Sequence, residues 1–99
     1  MYRALGNLNK AKPLYERGIS ICEEIYGPDH PSTALLMNNL AELYCDLGEY
    51  DRAEALYENT LSIYKNVYGL QHPYVATVYN NLAGIYYISG EYGKAKTLY

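Results

Sequence analysis

Apolar and polar positions along this chain keep a helical period over most of its length. From Ala34 the apolar series runs Met37, Leu40, Ala41, Tyr44, Leu47. These steps of three and four place the side chains on one helical face. A second series runs Ala53, Leu56, Tyr57, Thr60, Leu61, Tyr64, Val67, Tyr68. Breakers frame both. Gly48 and Gly90 stand just past the first helix of each pair, and Gly27 and Gly69 past the second, where a left-handed residue ends a helix. Pro28 blocks continuation, and Pro31 and Pro73 fit a first helical turn, where a missing N–H costs nothing. Asp51 with Glu54 has the spacing of a capping box. The pattern predicts five helices, over 9–26, 31–47, 51–68, 73–89 and 92–99.

The helices recur at a fixed offset. Tyr26-Gly27-Pro28-Asp29-His30-Pro31 returns as Tyr68-Gly69-Leu70-Gln71-His72-Pro73. Asn38-Asn39-Leu40-Ala41 returns as Asn80-Asn81-Leu82-Ala83, and Gly48-Glu49-Tyr50 as Gly90-Glu91-Tyr92. The offset is 42 each time, and 16 of 32 aligned positions are identical, too many for chance to hold one register. An earlier partial copy pairs Leu5-Gly6 with Leu47-Gly48, so the chain reads as starting near the close of a first helix. The organisation is a partial repeat over 1–27, a full repeat over 28–69 and a partial repeat over 70–99. Helix pairs at a constant period bury their apolar faces by stacking, so the expected fold is all-α, an α-solenoid of antiparallel helix pairs.

Composition narrows the function. Eight basic and eleven acidic side chains give a net charge of −3, which disfavours a nucleic-acid partner. No apolar run reaches the length of a membrane span. Fourteen tyrosines stand against no Phe and no Trp, and most of them share repeat registers that mark helix packing. Cys22 and Cys45 match no zinc spacing and read as free thiols, which suits a reducing cytosol and a cytoplasmic location. His30 and His72 lie a whole repeat apart, each just before a proline, so a structural place at a helix entry outweighs a metal site. No nucleophile has an obvious base. The expectation is no enzyme activity, no cofactor and no metal.

Leu40-Ala41, Tyr44, Gly48, Tyr50, Ala53 and Tyr57, repeated as Leu82-Ala83, Tyr86, Gly90, Tyr92, Ala95 and Tyr99, resemble the tetratricopeptide repeat signature. The 42-residue unit, the Tyr-Gly-x-x-His-Pro turn and the Asn-Asn-Leu-Ala run look like the kinesin light chain subtype. Thr60 and Gly18 depart from the alanine usual at the helix crossing, but both are small. The resemblance implies a right-handed superhelix whose first helices line a concave groove. It also implies a protein or peptide partner, held there as an extended peptide or a helix.

The groove-facing set follows from the helical wheel. Leu35, Asn38, Asn39, Glu42, Cys45 and Asp46 lie off the core face, and Thr77, Asn80, Asn81, Gly84, Tyr87 and Ile88 are their equivalents. Paired Asn in mid-helix is unfavourable by roughly 0.5 kcal/mol per residue, so its recurrence needs a reason. Amides that donate to and accept from a peptide backbone supply one, and bonding to a neighbouring helix supplies another. None of these twelve positions is Lys or Arg, which disfavours an acidic ligand. The competing readings are a structural spacer or self-assembling segment, and a regulatory part of a larger protein. Tyr92, Ala95, Leu98 and Tyr99 form an apolar stripe without a polar cap, which leads to an expectation of self-association through uncapped ends.

Overall fold

The computed structural model describes residues 5–88, with side chains from residue 8 onward. They form four helices: α1 (Leu5–Tyr26), α2 (Pro31–Asp46), α3 (Tyr50–Tyr68) and α4 (Pro73–Ile88). There are no strands among the described residues. Each helix packs on its neighbours in sequence, α1 on α2, α2 on α3 and α3 on α4. The architecture is a helical-repeat solenoid. The predicted helix over 92–99, the Gly90 stop and the stripe from Tyr92 to Tyr99 lie outside the described residues.

The turns follow their chemistry. Gly27, Gly48 and Gly69 all have positive φ, between 80° and 93°. At the end of α2 the Gly48 amide donates to the Cys45 carbonyl at 3.0 Å, and the Glu49 amide to the Tyr44 carbonyl at 2.8 Å. This pair of bonds satisfies two carbonyls that the helix leaves open.

Two local readings are corrected. α1 begins at Leu5, about one turn before the predicted start, and runs through Gly6 instead of stopping there. A continuous helix carries Leu8 into the core, where it is 7% exposed. That burial outweighs a glycine's helical cost of about 1 kcal/mol. Pro13 sits inside α1 and offers no N–H to the carbonyl of Asn9, an exposed residue that water can satisfy. The Asp51–Glu54 capping box does not form. α3 starts at Tyr50, its N-cap is Glu49 without a side-chain cap bond, and Asp51 falls in the first turn. There its carboxylate still meets the positive end of the helix dipole. Glu49 instead pairs with Arg52 at 3.6 Å.

The core runs continuously from Leu8 to Tyr86. Ala34, Ala41, Ala53 and Ala83 are fully buried, so the helices approach closely at these small residues. The two departures from alanine keep that spacing by different means. Thr60 is fully buried and its hydroxyl bonds the Leu56 carbonyl at 2.9 Å and the Ala34 carbonyl at 3.4 Å. A Cβ on Gly18 would lie 3.2 Å from Leu36 Cδ1 of α2.

Candidate functional site: the outer faces of the first helices

α2 and α4 are the first helices of successive units, and α3 packs against both. Both bury a stripe, Ala34, Met37, Leu40, Ala41 and Tyr44 on α2 and Val75, Val78, Leu82, Ala83 and Tyr86 on α4, and the last three positions of each are equivalent, 42 residues apart. The predicted site residues fall off those stripes. Leu35, Glu42 and Asp46 on α2, and Thr77, Asn80, Tyr87 and Ile88 on α4, are exposed. Asn38, Asn39 and Asn81 are half-buried. Leu35, Tyr87 and Ile88 each expose more than half their surface, at 54%, 64% and 63%, so the face offers apolar area as well as amides.

The Asn pairs split by environment. Asn80 is exposed, whereas Asn38 is half-buried and its Oδ1 is buried with no hydrogen-bond partner in the structure. A buried, unpaired amide oxygen costs roughly 1–3 kcal/mol. Asn39 and Asn81 both retain accessible surface. The Thr77 hydroxyl turns back to the Pro73 carbonyl at 3.1 Å, as Thr does on helices, and is less available to a ligand.

Cys45 sits beside this face. Burial pushes its thiol above the usual range, a hydrogen bond with Tyr57 acts the other way, and Asp46 and Glu42 raise it further. Burial likewise pushes the Tyr57 phenol upward. Both groups therefore stay protonated at neutral pH, and Cys45 is a poor nucleophile. Cys22 and Cys45 are free thiols. No group of His, Cys, Asp and Glu side chains could hold a metal ion among the described residues. Also among them, no helix is long and apolar enough to cross a membrane.

The histidines are helix caps. His30 is the N-cap of α2, in extended backbone, and its Nδ1 accepts the Ser32 amide at 3.0 Å. His72 Nδ1 accepts the Tyr74 amide at 3.1 Å in the same way. Each ring stacks on a tyrosine, His30 on Tyr26 at 4.5 Å and His72 on Tyr68 at 4.4 Å. This explains the recurring Tyr-Gly-x-x-His-Pro turn without any ligand.

Two features escaped the sequence reading. One is an open cleft of about 430 Å³ between α1, α2 and α3, lined by Glu16, Ile19, Leu40, Tyr44, Arg52, Ala55 and Leu56. None of the predicted groove residues lines it. The Tyr44 ring at its base has Lys12 Nζ at 5.5 Å and Arg52 Cζ at 5.9 Å. The other is an aromatic cluster of Tyr64, Tyr68, His72 and Tyr74. Its signal was present in the alignment: Cys22 and Ser32 of the first unit are replaced by Tyr64 and Tyr74 in the second.

Comparison with known proteins places these features in context. A family model described as tetratricopeptide repeat matches residues 1–58 and again 33–99. Tetratricopeptide repeat protein 19, mitochondrial, from Rattus norvegicus and from Mus musculus, is 47% identical to the chain over 34 residues. That stretch is 34% of this chain and 9% of either relative, so the chain spans a small part of their length. The crystal structure of BtubC (BKLC) from P. vanneervenii superposes with a TM-score of 0.88 at 32% identity. It covers 94% of this chain, which in turn covers 37% of BtubC.

Proposed function

The chain belongs to the tetratricopeptide repeat family, and from that premise we propose that it is a non-enzymatic interaction module. It holds an extended peptide, or a helical segment of a partner protein, against the outer faces of α2 and α4. Repeats of this family are generally protein–protein interaction modules. The finer assignment rests on one observation: the Asn-Asn pair recurs at one register, and Asn39 and Asn81 both stay accessible at mid-helix. Their amides can meet a backbone N–H and C=O without reading a side chain. Leu35, Tyr87 and Ile88 would supply apolar contacts beside them. The partner is then a near-neutral or basic, partly apolar segment, since Glu42 and Asp46 are the charges on this face.

The unit reads as the kinesin light chain-like subtype, with one full repeat over 28–69 flanked by partial ones. The 42-residue period and the likeness to BtubC support this reading. The free thiols suit a reducing compartment, and the cytoplasm is the proposed location.

A peptide array probed with wild type and with an Asn39→Ala/Asn81→Ala variant tests the assignment. The expected result is a set of bound peptides whose affinity falls at least tenfold in the variant, with its melting temperature unchanged. Equal binding by both proteins would remove the amides from the site. Absence of binding to any peptide would favour the spacer reading.

A further inference from the structure

The connections from α1 to α2 and from α3 to α4 lie along one edge of the solenoid. α2 and α3 are antiparallel, and the Thr60 hydroxyl, past the middle of α3, reaches the Ala34 carbonyl in the first turn of α2. The start of α2 and the end of α3 therefore stand at the same edge, and the Gly48 turn stands at the other. Stacked repeats set such corners in a row.

Both corners expose apolar side chains at one register. Ile25 and Tyr26 end α1, and their equivalents Val67 and Tyr68 end α3. All four are exposed, Ile25 by 67% and Val67 by 47%. Val67 and Tyr68 keep this exposure although α3 packs between α2 and α4, so it belongs to the register. Leu70, in the turn, is 70% exposed. Stacking on His30 and His72 holds the two tyrosine rings in place, so a ligand meets them at little cost in side-chain freedom.

Charge sets the first corner apart. No Lys or Arg occurs from Gly18 to Asp51. Glu23, Glu24 and Asp29 are exposed at this corner, and none has an ion-pair partner among the described residues. The last turn of α1 holds no basic residue, so the negative end of its dipole adds to the three carboxylates. At the second corner the equivalents are Lys65, Asn66 and Gln71, with no carboxylate among them.

We propose that this edge docks a basic segment of a partner protein. Its Arg or Lys side chains meet Glu23, Glu24 and Asp29, and an apolar side chain next to them rests on Val67, Tyr68 and Leu70. Charge complementarity identifies the occupant: unpaired carboxylates at a helix C-terminus call for cations, and the Tyr26 ring beside them favours the flat guanidinium of Arg. The exposed apolar residues one repeat further on call for an apolar neighbour. The surface shares no residue with the outer faces of α2 and α4, so it stands independently of the peptide-binding reading.

The test is fluorescence anisotropy of the whole chain with three labelled peptides, Arg-Arg-Gly-Leu-Leu, Arg-Arg-Gly-Ser-Ser and Glu-Glu-Gly-Leu-Leu. The first should bind most tightly, the second more weakly and the third not at all. The variant Glu23→Gln/Glu24→Gln/Asp29→Asn keeps the side-chain shapes at exposed positions, and its circular dichroism is measured first. It should weaken the Arg-Leu peptide about tenfold and flatten the salt dependence of binding. Leu70→Ser should weaken the Arg-Leu peptide and leave the Arg-Ser peptide unchanged. Asn39→Ala/Asn81→Ala and Glu42→Gln/Asp46→Asn should leave the affinity for the Arg-Leu peptide as in wild type. No binding of that peptide at low salt overturns the proposal, as does equal binding by wild type and the corner variant. A loss confined to the Asn39/Asn81 or Glu42/Asp46 variants also overturns it, and leaves the outer-face reading standing.

Discussion

The corner joining α1 to α2 and the corner joining α3 to α4 share one hexapeptide pattern but are held by different forces. In both, a glycine with positive φ ends the helix, a histidine caps the next one, and the histidine stacks on the tyrosine four residues before it. In the first corner a hydroxyl completes the structure: Thr33, fully buried, donates to the Gly27 carbonyl at 3.1 Å. In the second, Val75 stands in place of Thr33 and rings take over. Tyr64 lies 5.6 Å from both Tyr68 and Tyr74, and Tyr68 meets Tyr74 edge-on at 5.2 Å. The turn is therefore set by its backbone and cap, while the neighbouring positions are free to use either a hydrogen bond or aromatic packing. Edge-to-face and offset rings add about 0.5–1.5 kcal/mol per pair beyond their burial. A single buried hydroxyl bond contributes about as much.

The largest break should come from the ring at the centre of the second corner. Tyr64 is 7% exposed and touches two other rings. Tyr64→Ala should destabilise by about 3–5 kcal/mol, the range for truncating a large buried aromatic to alanine. The equivalent Cys22→Ala in the first corner should stay within about 1 kcal/mol, since only a small, half-buried side chain is lost. Urea midpoints of the two variants check the contrast. Equal shifts would mean that the cluster holds nothing beyond the turn itself.

Next come the caps. His30→Ala and His72→Ala each remove an acceptor from a helix N-terminus and should cost about 1 kcal/mol. His72→Ala should cost somewhat more, because His72 also meets Tyr74 at 4.6 Å. Asn in either place can still accept the amide but cannot stack on the tyrosine. A thermal-melt series of His, Asn and Ala at both positions separates cap from stack. If Asn restores full stability at residue 72, the ring contacts carry no weight there.

Thr33→Val turns the first corner into the second at one position. It leaves the Gly27 carbonyl without its hydroxyl donor, at an expected cost of about 1 kcal/mol. The reverse change, Val75→Thr, should cost a comparable amount, because it places a hydroxyl in a site that is 1% exposed. Chemical denaturation of both variants checks the pair.

What could be read from the sequence divides along the same line. The repeat offset, the glycine stops and the apolar stripes are periodic, and they located α2, α3 and α4 within a residue. The start of α1 was misread because Leu5-Gly6 copies Leu47-Gly48 in letters only. The turn at Gly48 goes on through Glu49 into Tyr50, where a new helix begins, and Asn7-Leu8 offers no such restart. The capping box failed because spacing alone cannot say that α3 would start at Tyr50. For the candidate site, the wheel separated outer positions from buried ones. It did not separate Asn38, with its amide oxygen buried, from the exposed Asn80. That difference comes from the neighbouring helices, which a single-helix projection does not contain.

The smallest expected effect concerns the crossing that each corner shares with its neighbour. Thr60 fills its place on α3 with a side chain, and Gly18 leaves the matching place on α1 empty. Gly18→Ala sets two terms of similar size against each other. Replacing a mid-helix glycine by alanine stabilises by about 0.5–1 kcal/mol through the unfolded chain. The new Cβ would stand 3.2 Å from Leu36 Cδ1, a few tenths of an ångström too close. That atom is the far end of a flexible side chain, and Leu36 is only half-buried, so it can turn aside cheaply. The net should be a gain of about 0.5 kcal/mol, seen as a slightly raised urea midpoint at constant slope. A loss would show that Leu36 is held in place, and the double variant Gly18→Ala/Leu36→Ala would then recover more than the sum of its parts.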